Sequence, residues 1–289
     1  YYDGAKWVWI VGNNTADTIA WNTSGNLGTD TSRHFMGTRD NMPLRFKLNN
    51  QWEGQWDAAK NNYYIGRNTG IKNTAAIVNI ALGGFALANV TTGSFNNAIG
   101  GGALSSMISG SQNVAIGNSS LANNKTGSNN VAVGTLTMWQ DTIGGNNTAI
   151  GAFAGFEARN TFGNVAVGQS ALSQNKRGSF KTAVGNNALA NDTSLSPNSA
   201  IGGGAWQLNV GGKSLVAIGA NALASNNASG NVGVGTAALE LNLVSNNNTA
   251  VGDSSLRNNM SSDNTAVGAR PLSSNTSGFW NNGIGSGAL

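Results

Sequence analysis

A branched aliphatic residue stands just before a glycine again and again in this chain: Ile65, Leu82, Ile99, Ile116, Val133, Ile150, Val167, Val184, Ile201, Ile218, Val234, Val251, Val267 and Ile284. Four residues after each glycine from Gly83 onward a second apolar position recurs, as Leu87, Leu104, Leu121, Leu172, Leu189, Leu223, Leu239, Leu256, Leu272 and Leu289, with Met138, Gly155 and Trp206 as departures. The fourteen glycines, Gly66 to Gly285, are separated by 17 residues in eleven of thirteen intervals and by 16 in the other two. A fixed period of this size marks one supersecondary unit stacked many times. β-Branched residues favour strands, and the i, i+3, i+4, i+7 spacing of a helix is missing. The pattern predicts an all-β, parallel stacked β-roll or β-helix solenoid, with both aliphatic columns inside. Fourteen turns at about 4.8 Å each would span roughly 65 Å.

Polar positions keep the same beat. Asn stands four before the glycine in twelve of the fourteen copies, Lys181 and Leu215 being the exceptions. Another Asn stands seven after it, including Asn124, Asn175, Asn226, Asn242, Asn259 and Asn275. Asn tolerates left-handed backbone and bonds to nearby main chain, which suits corners, and stacked copies can form amide ladders. The recurring glycine is expected either at positive φ or at a close backbone approach. Both 16-residue intervals keep register if their missing residue falls after the second Asn, around 227–230 and 260–263, so a tolerant surface loop is expected there.

Before the repeats the pattern changes. Trp7-Val8-Trp9-Ile10-Val11 reads as a strand followed by an Asn13-Asn14 turn, and Leu44 to Leu48, Asn49-Asn50 and Gln51 to Trp56 read as a hairpin. The expected division is therefore a hairpin-rich connector over 1–60 and a fourteen-copy repeat domain over 61–289. Two large apolar side chains and two alanines per coil make a thin core, so several chains are expected to pack together.

Composition narrows the chemistry. The 289 residues include 41 Gly and 45 Asn, only 10% are charged, and the net charge of +4 is scattered, so no nucleic-acid partner is expected. There is no Cys and a single His, His34, which leaves no means of assembling a usual triad or zinc site within one chain; three copies of His34 around an axis could hold an ion. The acids of the repeats are Asp141, Glu157, Asp192, Glu240, Asp253 and Asp263, and none forms the opposed pair a glycosidase needs. Gly212-Lys213-Ser214 lacks the upstream glycine of a phosphate loop. No apolar run is long enough to cross a membrane as a helix. The ends, Tyr1-Tyr2-Asp3-Gly4 and Gly287-Ala288-Leu289, read as those of a piece of something longer. We therefore expect no catalytic residue, cofactor or metal. Phe95, Phe162, Phe180, Phe279 and Trp280, eleven or twelve after a repeat glycine, are the candidate receptor or glycan contacts, since apolar rings in a loop can stack on sugars; the alternative is that they cover the coil or pack against a neighbouring chain.

The run Phe35-Met36-Gly37-Thr38-Arg39-Asp40-Asn41-Met42-Pro43-Leu44-Arg45-Phe46, followed by Asn-x-Ala-Val-Gly-x-x-Ala-Leu repeats, resembles phage tail-fibre and bacterial surface proteins. Proteins of that kind often carry an endosialidase-type self-cleaving chaperone downstream. The repeats also resemble the YadA-like β-roll heads of trimeric autotransporter adhesins, although a 17-residue period is longer than usual there. The resemblance implies a homotrimer and a structural, attachment function. It suggests a virion tail fibre facing a host surface glycan or protein and joined to other fibre or tail subunits. The alternatives are a bacterial trimeric cell-surface adhesin or extracellular filament, and a tail-spike glycan hydrolase with an intersubunit site.

Overall fold

The structure, a computed structural model, describes residues 36–208 and 210–288. The strand expected at Trp7–Val11, the Asn13-Asn14 turn and His34 lie outside the described residues. Two compact units divide at Met42/Pro43, and the second, Pro43–Leu289, holds every described strand. It is all-β and forms one sixteen-stranded sheet whose spatial order follows the chain.

Strands β1 (Leu44–Leu48) and β2 (Gln51–Asp57) form the expected antiparallel hairpin. Its turn residues Asn49 and Asn50 have φ of 47° and 59°, the left-handed pair that a two-residue hairpin turn demands. Strand β2 pairs antiparallel with β3 (Asn62–Ile65), so the hairpin covers the exposed edge of the first coil. From β3 onward, β4 (Ile80–Leu82) through β16 (Asn282–Ile284) pair in parallel, each with its equivalent one coil on. The two 16-residue coils keep this register: Val216 pairs with Val232, and Thr249 with Thr265.

The interior differs from the expectation in one respect. In most of the three-residue parallel strands the central residue is an alanine that faces in, as with Ala98, Ala115 and Ala132 at 0% exposure, with Gly233 and Gly283 in its place in two, and the leucine after the glycine is buried with it. Strand side chains alternate between faces, so the aliphatic residue beside that alanine must point out. Ile65, Leu82, Ile99, Ile116, Ile150, Ile201, Ile218, Val251, Val267 and Ile284 are all exposed. The expectation of two interior aliphatic columns is therefore corrected to one interior column of leucines and one surface ladder of Val and Ile.

Glycine performs both expected tasks at once. Gly134 has φ +135°, and a β-carbon there would meet the backbone of Gly151 in the next coil. The leucines are less expected. Leu87, Leu104, Leu121 and their equivalents have φ between 47° and 54°, left-handed values that cost an L-residue about 1–2 kcal/mol. Burial of the side chain and a stacked hydrogen bond hold each in place; the N–H of Leu121, for example, donates to Thr137 O at 3.0 Å.

Asparagine completes the interior. The backbone N–H of Asn113 donates to Oδ1 of Asn96 (3.1 Å), that of Asn130 to Asn113 (3.0 Å) and that of Asn147 to Asn130 (3.1 Å), while each side-chain amide donates to a carbonyl such as Gly127 O. Buried amides are thereby satisfied coil by coil. The second Asn closes a tight turn: in long coils its Oδ1 accepts from the third residue on, the Gly127 N–H donating to Asn124 (2.9 Å), and in short ones from the second, the Ala228 N–H donating to Asn226 (3.3 Å). The lost residue falls where the sequence locates it. Yet Ala228 and Ser261 in those turns are buried, so the turns are not wholly outside the core.

Tyr64 replaces the strand alanine in the first coil and closes that end of the core. It is fully buried, and its hydroxyl accepts from Asn73 Nδ2 (2.9 Å). Burial pushes its pKa up to about 12, against the hydrogen bonds from Asn79 and Asn73.

Candidate functional site

The five aromatic candidates do stand at the surface, but they do not form one site. Phe180 and Trp280 are the most open, at 72% and 78%. Of the five, only Phe95 lies in the coil that leads to Gly100, where Phe85 is also exposed. Phe162 and Phe180 occupy consecutive coils, where the N–H of Phe180 donates to Phe162 O (3.0 Å) and its ring lies over Gly163. Phe279 and Trp280 sit together in the coil that leads to Gly285, with ring centroids 6.3 Å apart. Three separate patches result. Each ring lies in the turn that enters a strand, where φ is near +60° for Phe95 and Phe180.

The aliphatic ladder is an extended apolar feature of the described surface. Stacking at one strand spacing places Ile99, Ile116 and their equivalents in line on one face. Singly exposed apolar residues are ordinary; contiguous ones mark contact surfaces. The sequence carried the signal: an x-Ala-x strand with a small residue at its centre leaves its larger neighbours outside.

A second group went unrecognised in the sequence reading. Five residues after the glycine most coils place a small residue, such as Ala88, Ser105, Ala122, Ser173 and Ala190, but two consecutive coils place Trp139 and Phe156. These rings stack with centroids 5.5 Å apart and planes 9° apart, and Phe153 meets Phe156 edge-on at 5.8 Å. The signal was the exchange of a small residue for a large ring at one repeat position, visible only when that column is aligned.

The acids of the described coils are each taken up by a hydrogen bond or an ion pair. Asp192 is buried against Lys181, whose Nζ lies 2.5 Å from its Oδ2 and also donates to Ser194 O (2.8 Å). These two residues replace the Asn of both columns, so one ion pair takes over the amides' bonds; burial lowers the Lys181 pKa, with Asp192 opposing. Asp141 is buried without a cation, accepting from Gly144 N (2.9 Å), Asn160 N (3.0 Å) and Asn124 Nδ2 (3.3 Å). Burial raises its pKa above the usual carboxylate value, against those bonds. Glu240 pairs with Arg257 (2.7 Å), Glu157 with Arg159 (3.7 Å) and Asp253 with Arg270 (3.9 Å). Among the described residues no group of His, Cys, Asp and Glu could hold a metal ion, and no helix is long and apolar enough to cross a membrane. No protein-family profile, curated protein or solved structure matches the chain.

Proposed function

We propose that this chain is a segment of a homotrimeric attachment fibre, in the manner of a virion tail fibre that presents contact surfaces to a host cell. The observation that carries this reading is the exposed Val and Ile ladder on the strand face. A thin, alanine-rich interior buries little apolar area per residue, and a second set of aliphatics left in water calls for a partner. Identical copies supply one with the same 17-residue beat, so every coil can meet its counterpart. A rotationally symmetric arrangement closes such contacts without leaving an open end, and three copies follow from the resemblance to tail-fibre and adhesin proteins.

Attachment would come from the exposed aromatic patches. In a trimer each patch occurs three times, and linked weak sites bind far more tightly than one alone. Sedimentation equilibrium of the purified chain at micromolar concentration tests the assembly; a monomer there would overturn it. Incubation with a host capsule separates attachment from hydrolysis, since released oligosaccharide would point to a tail-spike enzyme instead.

A further inference from the structure

We infer that the groove beside Trp139 is a binding subsite for an acidic oligosaccharide. It is an open surface groove of about 550 Å³, lined by Ser106, Asn123, Lys125, Trp139, Gln140, Thr142, Arg159 and Asn160. This inference deepens the attachment reading by naming a site and a ligand class for it. The groove lies about half a coil away from the aliphatic ladder, six to ten residues along a 17-residue turn, so packing of copies on the ladder leaves it open.

Three properties of the lining point to a sugar. Trp139 is a half-buried ring at a position where Ala122 and Ala190 stand in other coils, and Phe156 stacks on it from the next coil, which fixes its plane. A fixed indole wall matches the C–H face of a pyranose and loses little side-chain entropy on binding. Neutral hydrogen-bonding groups surround it: the Asn123 and Gln140 amides, the Thr142 and Ser106 hydroxyls and Asn160. Several are already oriented, since Arg159 Nε donates to Gln140 Oε1 (2.8 Å), Thr142 Oγ1 to Asn160 Oδ1 (2.6 Å) and Asn123 Nδ2 to Trp139 O (2.8 Å). Hydroxyl-rich ligands are recognised by such pre-placed polar groups around an apolar face.

Charge selects among sugars. The charged residues that line the groove are Lys125 and Arg159, both exposed, with no acid in the lining. Lys125 has no ion-pair partner among the described residues, while Arg159 shares its guanidinium with Glu157 at 3.7 Å. The local excess is positive in a chain with few charges, and a carboxylated sugar unit seated on Trp139 would meet it.

The test is isothermal titration of the full chain with acidic oligosaccharides built on galacturonate, on glucuronate and on sialic acid, and with neutral maltohexaose. At least one acidic probe should bind at least tenfold more tightly than maltohexaose, and added salt should weaken it. Trp139→Ala should lower that affinity at least tenfold, and Lys125→Gln should narrow the acidic preference severalfold, while Val244→Ala, an exposed apolar residue outside the groove and the aromatic patches, changes neither. Trp139→Ala restores the residue that other coils carry at this position, and an unchanged circular dichroism spectrum checks that it folds. Absence of millimolar or better binding to all three acidic probes, equal binding of maltohexaose, or full affinity in Trp139→Ala would each overturn the inference. A monomeric chain that still binds through Trp139 would sink the fibre reading alone.

Discussion

A β-carbon placed on Gly134 would stand 2.7 Å from the carbonyl carbon of Gly151, one coil further along. That separation is well inside contact distance, and the obstacle is backbone, which cannot swing aside. The φ of +135° at Gly134 is itself closed to L side chains. Gly134→Ala should therefore destabilise the chain by about 3 kcal/mol or more, the sum of backbone strain and overpacking. Gly203→Ala, with nothing within 4 Å of its β-carbon, should stay within about 0.5 kcal/mol of wild type. Urea unfolding followed by circular dichroism compares the two.

Asp141 occupies a position where Asn124 and Asn175 carry a neutral amide. Its folded pKa is raised above its unfolded value, chiefly by burial. Between those two values the folded state holds more protons, so stability falls as pH rises through that window and the deficit is full above it. Asp141→Asn should raise the melting temperature at pH 7 and flatten this part of the pH profile. Its advantage should shrink below the usual carboxylate pKa, where Asp141 is neutral in both states. Melting curves from pH 3 to pH 8 would show a gain confined to the upper end; equal gain at every pH would refute the assignment.

Lys181 and Asp192 are both fully buried and satisfy each other. Lys181→Met would leave the Asp192 carboxylate without its cation and should cost about 3–5 kcal/mol. The double variant Lys181→Asn with Asp192→Asn recreates the two-amide arrangement of neighbouring coils and should recover most of that loss. Denaturation midpoints of the single and double variants form the check, with recovery as the discriminating outcome.

Met138 and Gly155 compensate across adjacent coils. Gly155 stands where other coils place leucine, and Met138 Cγ lies 3.2 Å from the position its β-carbon would take. The φ of +60° at Gly155 is near the values leucine adopts in that column, so the backbone admits a side chain. Gly155→Leu alone should clash with Met138, and Met138→Leu alone should leave space unfilled. Together they should stabilise, with a coupling of about 1–2 kcal/mol in a double-mutant cycle.

The proposed assembly on the surface ladder can be tested apart from folding. Ile99→Asp, Ile116→Asp and Ile150→Asp combined should leave the single coil intact, since these side chains face water within one chain. Self-association should weaken by about a hundredfold or more, because each position loses apolar area and gains a charge at the contact. Sedimentation velocity across a concentration series reads the shift, and a normal strand signature confirms that the coil survives.

Much of this architecture was legible in the residues. The glycine beat fixed the coil length, the Asn columns announced the corners, and Asn49-Asn50 marked the hairpin turn. The sidedness of the strand was harder to see. Ile116 looks like a core residue by type, and only the burial of Ala115 beside it shows that the interior is too narrow for both. Leu121 at φ 49° was invisible for a related reason: its backbone angle is set by the coil above and below, not by its own preference. The five loop aromatics are exposed on the single chain, and their grouping into three patches depends on which coil each belongs to. Trp139 and Phe156 escaped notice because, taken singly, a tryptophan and a phenylalanine in a repeat look like filling.

The turn after the second Asn closes equally well whether it accepts from Gly127, three residues on, or from Ala228, two residues on. Each rung thus presents the same upper and lower rim to its neighbours whatever the small differences in its contour. A gene encoding such a chain can gain or lose whole rungs by recombination between any two equivalent glycine codons, and the product still stacks. Length becomes a quantity that can drift by one notch at a time, independently of the side chains each rung turns to solvent.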